Sequence, residues 1–146
     1  MVLQVVTAAA LAVDAYVHVD LASAYDPIGR QISQGTLFRI EAAAASLAAL
    51  LVLLLGRRRS VWAFAFLVSV SALGAVLLYR YVNVGTLGPL PNMYEPTWFP
   101  QKTTSAIAVA VGAAAALVGF RITGPQRPAS TRSAAPRDDE VDGGNA

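Results

Sequence analysis

An all-α bundle of four transmembrane helices is the fold the sequence predicts, on three observations. Hydrophobic residues make up 55% of the 146 and charged residues only 14%, whereas soluble domains hold roughly 45–50% and about 25%. The apolar residues are gathered into four runs, about Val2 to Leu21, Leu37 to Leu55, Val61 to Val82 and Thr104 to Phe120. Each run is close to the roughly 20 residues that carry a helix across a hydrocarbon core of about 30 Å.

The first run, within MVLQVVTAAALAVDAYVHVDLA, reads as lipid-facing helix apart from the titratable groups Asp14, His18 and Asp20. A cleaved signal peptide ending at Ala22-Ser23-Ala24 is the rival reading. It lacks a positively charged start and would hold Asp14 and His18 in or beside its apolar stretch, so the run is assigned to a retained helix. The second run carries Arg39 and Glu41 near its start and ends at the tight connection GRRRS. The third runs up to Arg80 and Tyr81, and the fourth is rich in alanine and glycine. Residues 22–36 and 83–103 form the two longer loops. The tail, 123–146, is rich in Pro, Gly, Ser, Ala and charge, including Asp138, Asp139, Glu140 and Asp142, and is expected to be disordered.

The arginines set the orientation. Arg57, Arg58 and Arg59 lie in the tight connection, and Arg121, Arg127, Arg132 and Arg137 follow the fourth run, which predicts cytoplasmic N and C termini. The loops 22–36 and 83–103 then lie outside with Arg30 and Lys102, while Arg39 and Arg80 sit at the membrane edge. A plasma-membrane, multi-pass protein follows, with the lipid bilayer as its first partner and other membrane proteins or a second copy as further ones. The net charge of +2 is spent on topology, so no nucleic-acid partner is expected.

Helices in lipid attract each other through close contact at small residues. Ala108, Gly112 and Ala116, Ala44 and Ala48, and Ser71 and Ala75 are the predicted packing faces.

Asp14 and His18 are spaced i, i+4, on one helix face and about 6 Å apart along the axis. Asp20 falls at the outer interface. Counting 1.5 Å per residue from Leu21 and Leu37 puts Asp14, His18, Arg39 and Glu41 all in the outer half of the bilayer, where they are expected to converge. Charge inside the membrane costs at least about 2.5–3.5 kcal/mol, so such groups face the bundle, pair, or serve a function. Three roles fit: a structural network in which Arg39 pairs with Asp14 or Glu41; a proton relay of Asp14, His18 and Glu41; and a metal site from Asp14, His18 and Glu41 with Glu95 or Met93.

The loop NVGTLGPLPNMYEPTWFPQK is interrupted by Pro89, Pro91, Pro96 and Pro100 yet remains apolar and aromatic. It is expected to fold over the outer mouth as a cap made by Met93, Tyr94, Glu95 and Trp98, with Lys102 snorkelling. No cysteine is present, which excludes disulfides, thiol nucleophiles and covalent haem. A single histidine excludes a bis-histidine haem within one chain, and no cofactor is expected. HExxH, GxSxG and the phosphate-binding glycine loop are all missing, so the chain is not expected to be an enzyme.

The combination of YVHVDLASAYD, TLFRIEAAAA and GPLPNMYEPTWFPQKTTSAIA resembles small, uncharacterised four-helix membrane proteins of high-GC actinobacteria, over about residues 5 to 120. That resemblance implies a plasma-membrane location. A looser architectural likeness to the DoxX-type membrane proteins carries no matched motif. Asp14 in the first of four short helices is similar to the small multidrug resistance transporters, whose glycine-rich third helix and aromatic cage have no counterpart here. The expected function is an accessory or structural membrane protein acting through helix packing and its outer cap. The alternative is a small proton- or ion-coupled transporter using Asp14, His18 and Glu41.

Overall fold

The computed structural model describes residues 1–29 and 31–124. Arg30, Arg127, Arg132, Arg137 and almost all of the tail expected to be disordered lie outside the described residues. Those described form four helices, α1 (Val2–Ala22), α2 (Gln34–Leu55), α3 (Arg59–Tyr81) and α4 (Pro100–Ile122). All four are long and apolar enough to cross a membrane. At 1.5 Å per residue the shortest is about 31 Å long, which matches a hydrocarbon core.

Three helices begin earlier than their apolar runs, α3 by two residues and α2 and α4 by more. Ser33 caps α2 by accepting a hydrogen bond from the Thr36 backbone N–H at 3.0 Å, so the helix starts at Gln34 and not near Leu37. Caps are polar, and a hydropathy count starts after them. Pro100, read from sequence as part of the loop, instead opens α4 in its first turn. Its fixed φ suits that position, and its missing N–H has no helical acceptor to lose there.

The bundle is a ring. α1 packs on α2 and α4, and α3 packs closely on α4, while α2 and α3 make the least contact of the neighbouring pairs. The core is made of small side chains. Ala45, Ala48, Ala65 and Ala116 are fully enclosed, with Leu11, Val52 and Trp62 among the larger groups between them. Leu47, Leu50, Leu54, Leu67 and Leu78 face outward, the arrangement expected when lipid is the solvent and alanine faces let backbones approach.

The end that holds the N-terminus and the 56–58 turn is tightly tied. The Gln4 side-chain amide donates to Val52 O at 3.0 Å, and the Trp62 indole N–H donates to Gly56 O at 2.7 Å. The Trp62 ring lies flat against Gly119, and the Arg59 guanidinium sits 4.0 Å above the Phe120 ring. Ala108, Gly112 and Ala116 are buried as a packing face. Ser71 and Ala75 are exposed, contrary to their predicted role. They lie toward the far end and line the cavity there.

Candidate functional site

Where α2 and α3 part, a cavity of about 390 Å³ opens at the end of the bundle that carries the two long loops. Its floor holds His18, Glu41 and Ser105, and its walls include Val17, Phe38, Ala72 and Val76. Met93, Glu95, Phe99 and Lys102 form the roof.

Asp14 lies under this floor. It is 0% exposed, and its Oδ1 accepts a 2.6 Å hydrogen bond from Ser105 Oγ across the α1–α4 contact. The same Oδ1 is 3.2 Å from His18 Nδ1, which is also 3.0 Å from the Asp14 backbone carbonyl. A carbonyl oxygen can only accept, so Nδ1 carries a proton in either charge state of the ring. In the neutral form the lone pair is then on Nε2. The His18 ring meets Phe38 edge to face, with centroids 5.2 Å apart.

Glu41 has a different environment. Phe38 and Glu41 are three residues apart on the cavity-facing side of α2, and the buried Glu41 Oε1 has no hydrogen-bond partner among the described residues. Asp14 Oδ2 is likewise unpartnered. Of the four side chains expected to converge, the structure brings Asp14 and His18 into contact and sets Glu41 beside His18 on the cavity floor. Arg39 is not among them.

Arg39 turns outward and grips Asp26 with both arms, Nη1 to Oδ1 at 2.6 Å and Nη2 to Oδ2 at 2.7 Å, both side chains being exposed. The reason is helical geometry. Residues two apart lie about 200° apart around an α-helix, so once Glu41 faces the cavity Arg39 has to face away. Neither the Arg39–Asp14 nor the Arg39–Glu41 pair is formed. Among the described residues no three His, Asp or Glu side chains gather closely enough to hold an ion, so Asp14, His18 and Glu41 form no ready-made metal cluster. Asp14 Oδ1 and His18 Nδ1 are committed to each other and to Ser105.

The Asp26–Arg39 pair ties the 23–33 connection to α2. Arg39 holds the Asp26 carboxyl below its ordinary value of 3.8. The carboxyl is therefore more acidic folded than unfolded. Its contribution is complete above that ordinary value and is lost as pH falls through the lowered one. Protection of the Gln34 and Gly35 amides, which donate to Ile28 O and Tyr25 O, is expected to decline below about pH 4. Asp26→Asn should show reduced protection already at neutral pH, with no further acid step, in hydrogen exchange read residue by residue.

The roof is a folded loop. Leu87 and Leu90 close a tight turn through Gly88, whose φ of +58° needs glycine. The Glu95 N–H donates to Tyr79 O at 3.0 Å, and Glu95 Oε1 accepts from the Thr97 N–H at 3.1 Å. Lys102 Nζ reaches back to the carbonyl oxygens of Glu95 and Thr97. Of the expected cap residues, Met93 and Glu95 line the cavity, whereas Tyr94 and Trp98 are on the exposed side. Burial and the nearby Glu95 carboxylate push the Tyr25 phenol at the cavity mouth above its ordinary value.

Ser105 and Lys102 were missed as site residues. Ser105 shares the face of α4 that carries Ala108, Gly112 and Ala116, and that shared face was the available signal. No protein-family model, curated protein or solved structure matches this chain.

Proposed function

We propose that this is a non-enzymatic, multi-pass plasma-membrane protein that binds a small amphipathic molecule in the outer half of its bundle, with both termini cytoplasmic. The observation that carries the reading is the cavity between α2 and α3, apolar on its walls and ionisable on its floor. Binding cavities have this make-up: apolar area supplies affinity, and a few polar groups fix orientation. About 390 Å³ lies at the smaller end of the usual range for small-molecule sites. Asp14 and Ser105 hold α1 against α4 beneath it, and the loop 82–99 lies over it.

The accessory or structural role is the second reading, and the Asp14–Ser105 bond favours it, since a buried tie between helices needs no ligand. Val76→Trp separates the two. Val76 lines the cavity on α3 and is half-buried, so an indole there fills the space and leaves the α3–α4 contact alone. Organic extracts of the wild-type protein, purified in mild detergent, are expected to contain a small molecule that extracts of Val76→Trp lack at equal protein and lipid. Identical extracts would favour the structural role.

A further inference from the structure

The cavity is open along its side. Ile40 on α2 and Ser71 and Ala75 on α3 line it and are exposed, and a side chain added at Gly74, on the same stretch of α3, would meet nothing within 4 Å. Small residues on α3 therefore leave a seam between the two helices at a depth where the surrounding medium is lipid. On the side of the long loops the roof is held in place, because the Glu95 N–H bonds Tyr79 O and Lys102 is drawn up to the Glu95 and Thr97 carbonyls.

The charges around the space are unequal. Asp14 beneath the floor, Glu41 on it and Glu95 in the roof are carboxylates, and they face one ammonium, Lys102, and the single imidazole of His18. With the carboxylates ionised, and counting the Arg80 guanidinium that lies over the Trp98 ring beside the roof, the set is net negative while His18 is neutral. Glu95 Oε1 and Lys102 already have partners, whereas the buried Glu41 Oε1 has none. An unpaired carboxylate oxygen at the base of an apolar space is a strong acceptor for a charged donor, and charge-assisted hydrogen bonds are the stronger class.

Resting on the binding function proposed above, we infer that the occupant is a membrane-dissolved amphiphile with a protonated amine, which enters sideways through the α2–α3 seam and pairs its ammonium with Glu41. The seam admits an apolar body from the leaflet, the walls take that body, and Glu41 selects the head. An anionic head would meet the carboxylates, and a neutral one would leave Glu41 without a counter-charge.

Three probes with one apolar body test this: 4-phenylbutylamine, 4-phenylbutanol and 4-phenylbutyrate, titrated calorimetrically into the full chain in phosphatidylcholine nanodiscs, with empty nanodiscs subtracted. The amine is expected to bind at least about tenfold more tightly than the alcohol, the ratio a charge-assisted hydrogen bond supplies, and the acid most weakly. Glu41→Gln should bring amine and alcohol to within about twofold while leaving alcohol binding in place. Ala75→Trp, at the seam, should slow association of the amine several-fold. An alcohol or acid that binds as well as the amine, or an amine preference that survives Glu41→Gln, overturns the cation assignment and leaves the binding function standing. An unchanged association rate in Ala75→Trp overturns the sideways route. If none of the three probes binds while Val76→Trp also leaves the extract unaltered, the binding function itself fails.

Discussion

Gly119→Ala is expected to lower the thermal midpoint of the protein sharply. A Cβ built at Gly119 falls well inside van der Waals contact with three carbons of the Trp62 ring. Neither side can yield cheaply. Trp62 is 3% exposed, and its indole N–H is held by Gly56 O at 2.7 Å. Gly119 belongs to the buried face of α4, so moving it away means moving the helix. Overpacking of this kind costs about 1–3 kcal/mol, and the upper end applies where the neighbour is a large ring fixed by a hydrogen bond. The check is a double-mutant cycle with Trp62→Leu, followed by circular dichroism in one detergent. Trp62→Leu alone should also destabilise, by leaving a void. Combined, the two should cost less than their separate effects added, because the smaller side chain gives the new methyl room. Strict additivity would show that α3 and α4 do not meet through this pair.

How much of this was legible in the sequence depends on the range of the interaction. Asp14 and His18 are four residues apart in one helix, so the periodicity alone brings them together, and the structure has them in contact. Ser105 binds the same carboxylate from another helix, and nothing local to either residue announces that bond. Arg39 shows a misplaced criterion. Depth along the helix makes Arg39 a neighbour of Glu41, whereas the angle around the helix separates them and sends Arg39 to Asp26. Helix ends were displaced at α2 and α4 because Ser33 and Pro100 act through backbone geometry, which hydropathy does not register. The seam was hidden for a further reason. Ser71 and Ala75 have the same pattern as Ala108, Gly112 and Ala116, but only one of these faces is covered. Coverage depends on how far α2 and α3 diverge beyond the 56–58 turn, which is a property of the assembled bundle and not of either face.

The fully buried carboxylate of Asp14 and the half-buried one of Glu41 are expected to respond to substitution in opposite directions. Asp14 has lost its water entirely, and its Oδ1 satisfies both Ser105 and His18. Removing one member of a buried charged set costs about 3–5 kcal/mol, because the groups left behind keep their desolvation without their partner. Asp14 Oδ2 has no partner and its loss returns part of that, so about 2–3 kcal/mol is the expected effect of Asp14→Ala. Asp14→Asn keeps an acceptor for Ser105 and should fall between Asp14→Ala and the wild type. Ser105→Ala should cost about 1.5–3 kcal/mol and add little once Asp14 is alanine. Glu41 contributes a buried oxygen with no partner, a group that opposes folding in the absence of a ligand. Glu41→Leu is therefore expected to raise the thermal midpoint of the empty protein, by the equivalent of about 1 kcal/mol, the lower end of the cost of an unsatisfied buried polar group. Stability given up at one residue in this way is the mark of a group kept for what it binds. Midpoints that fall for both residues would assign Glu41 to the same structural network as Asp14, and the cavity floor would then be a joint between helices.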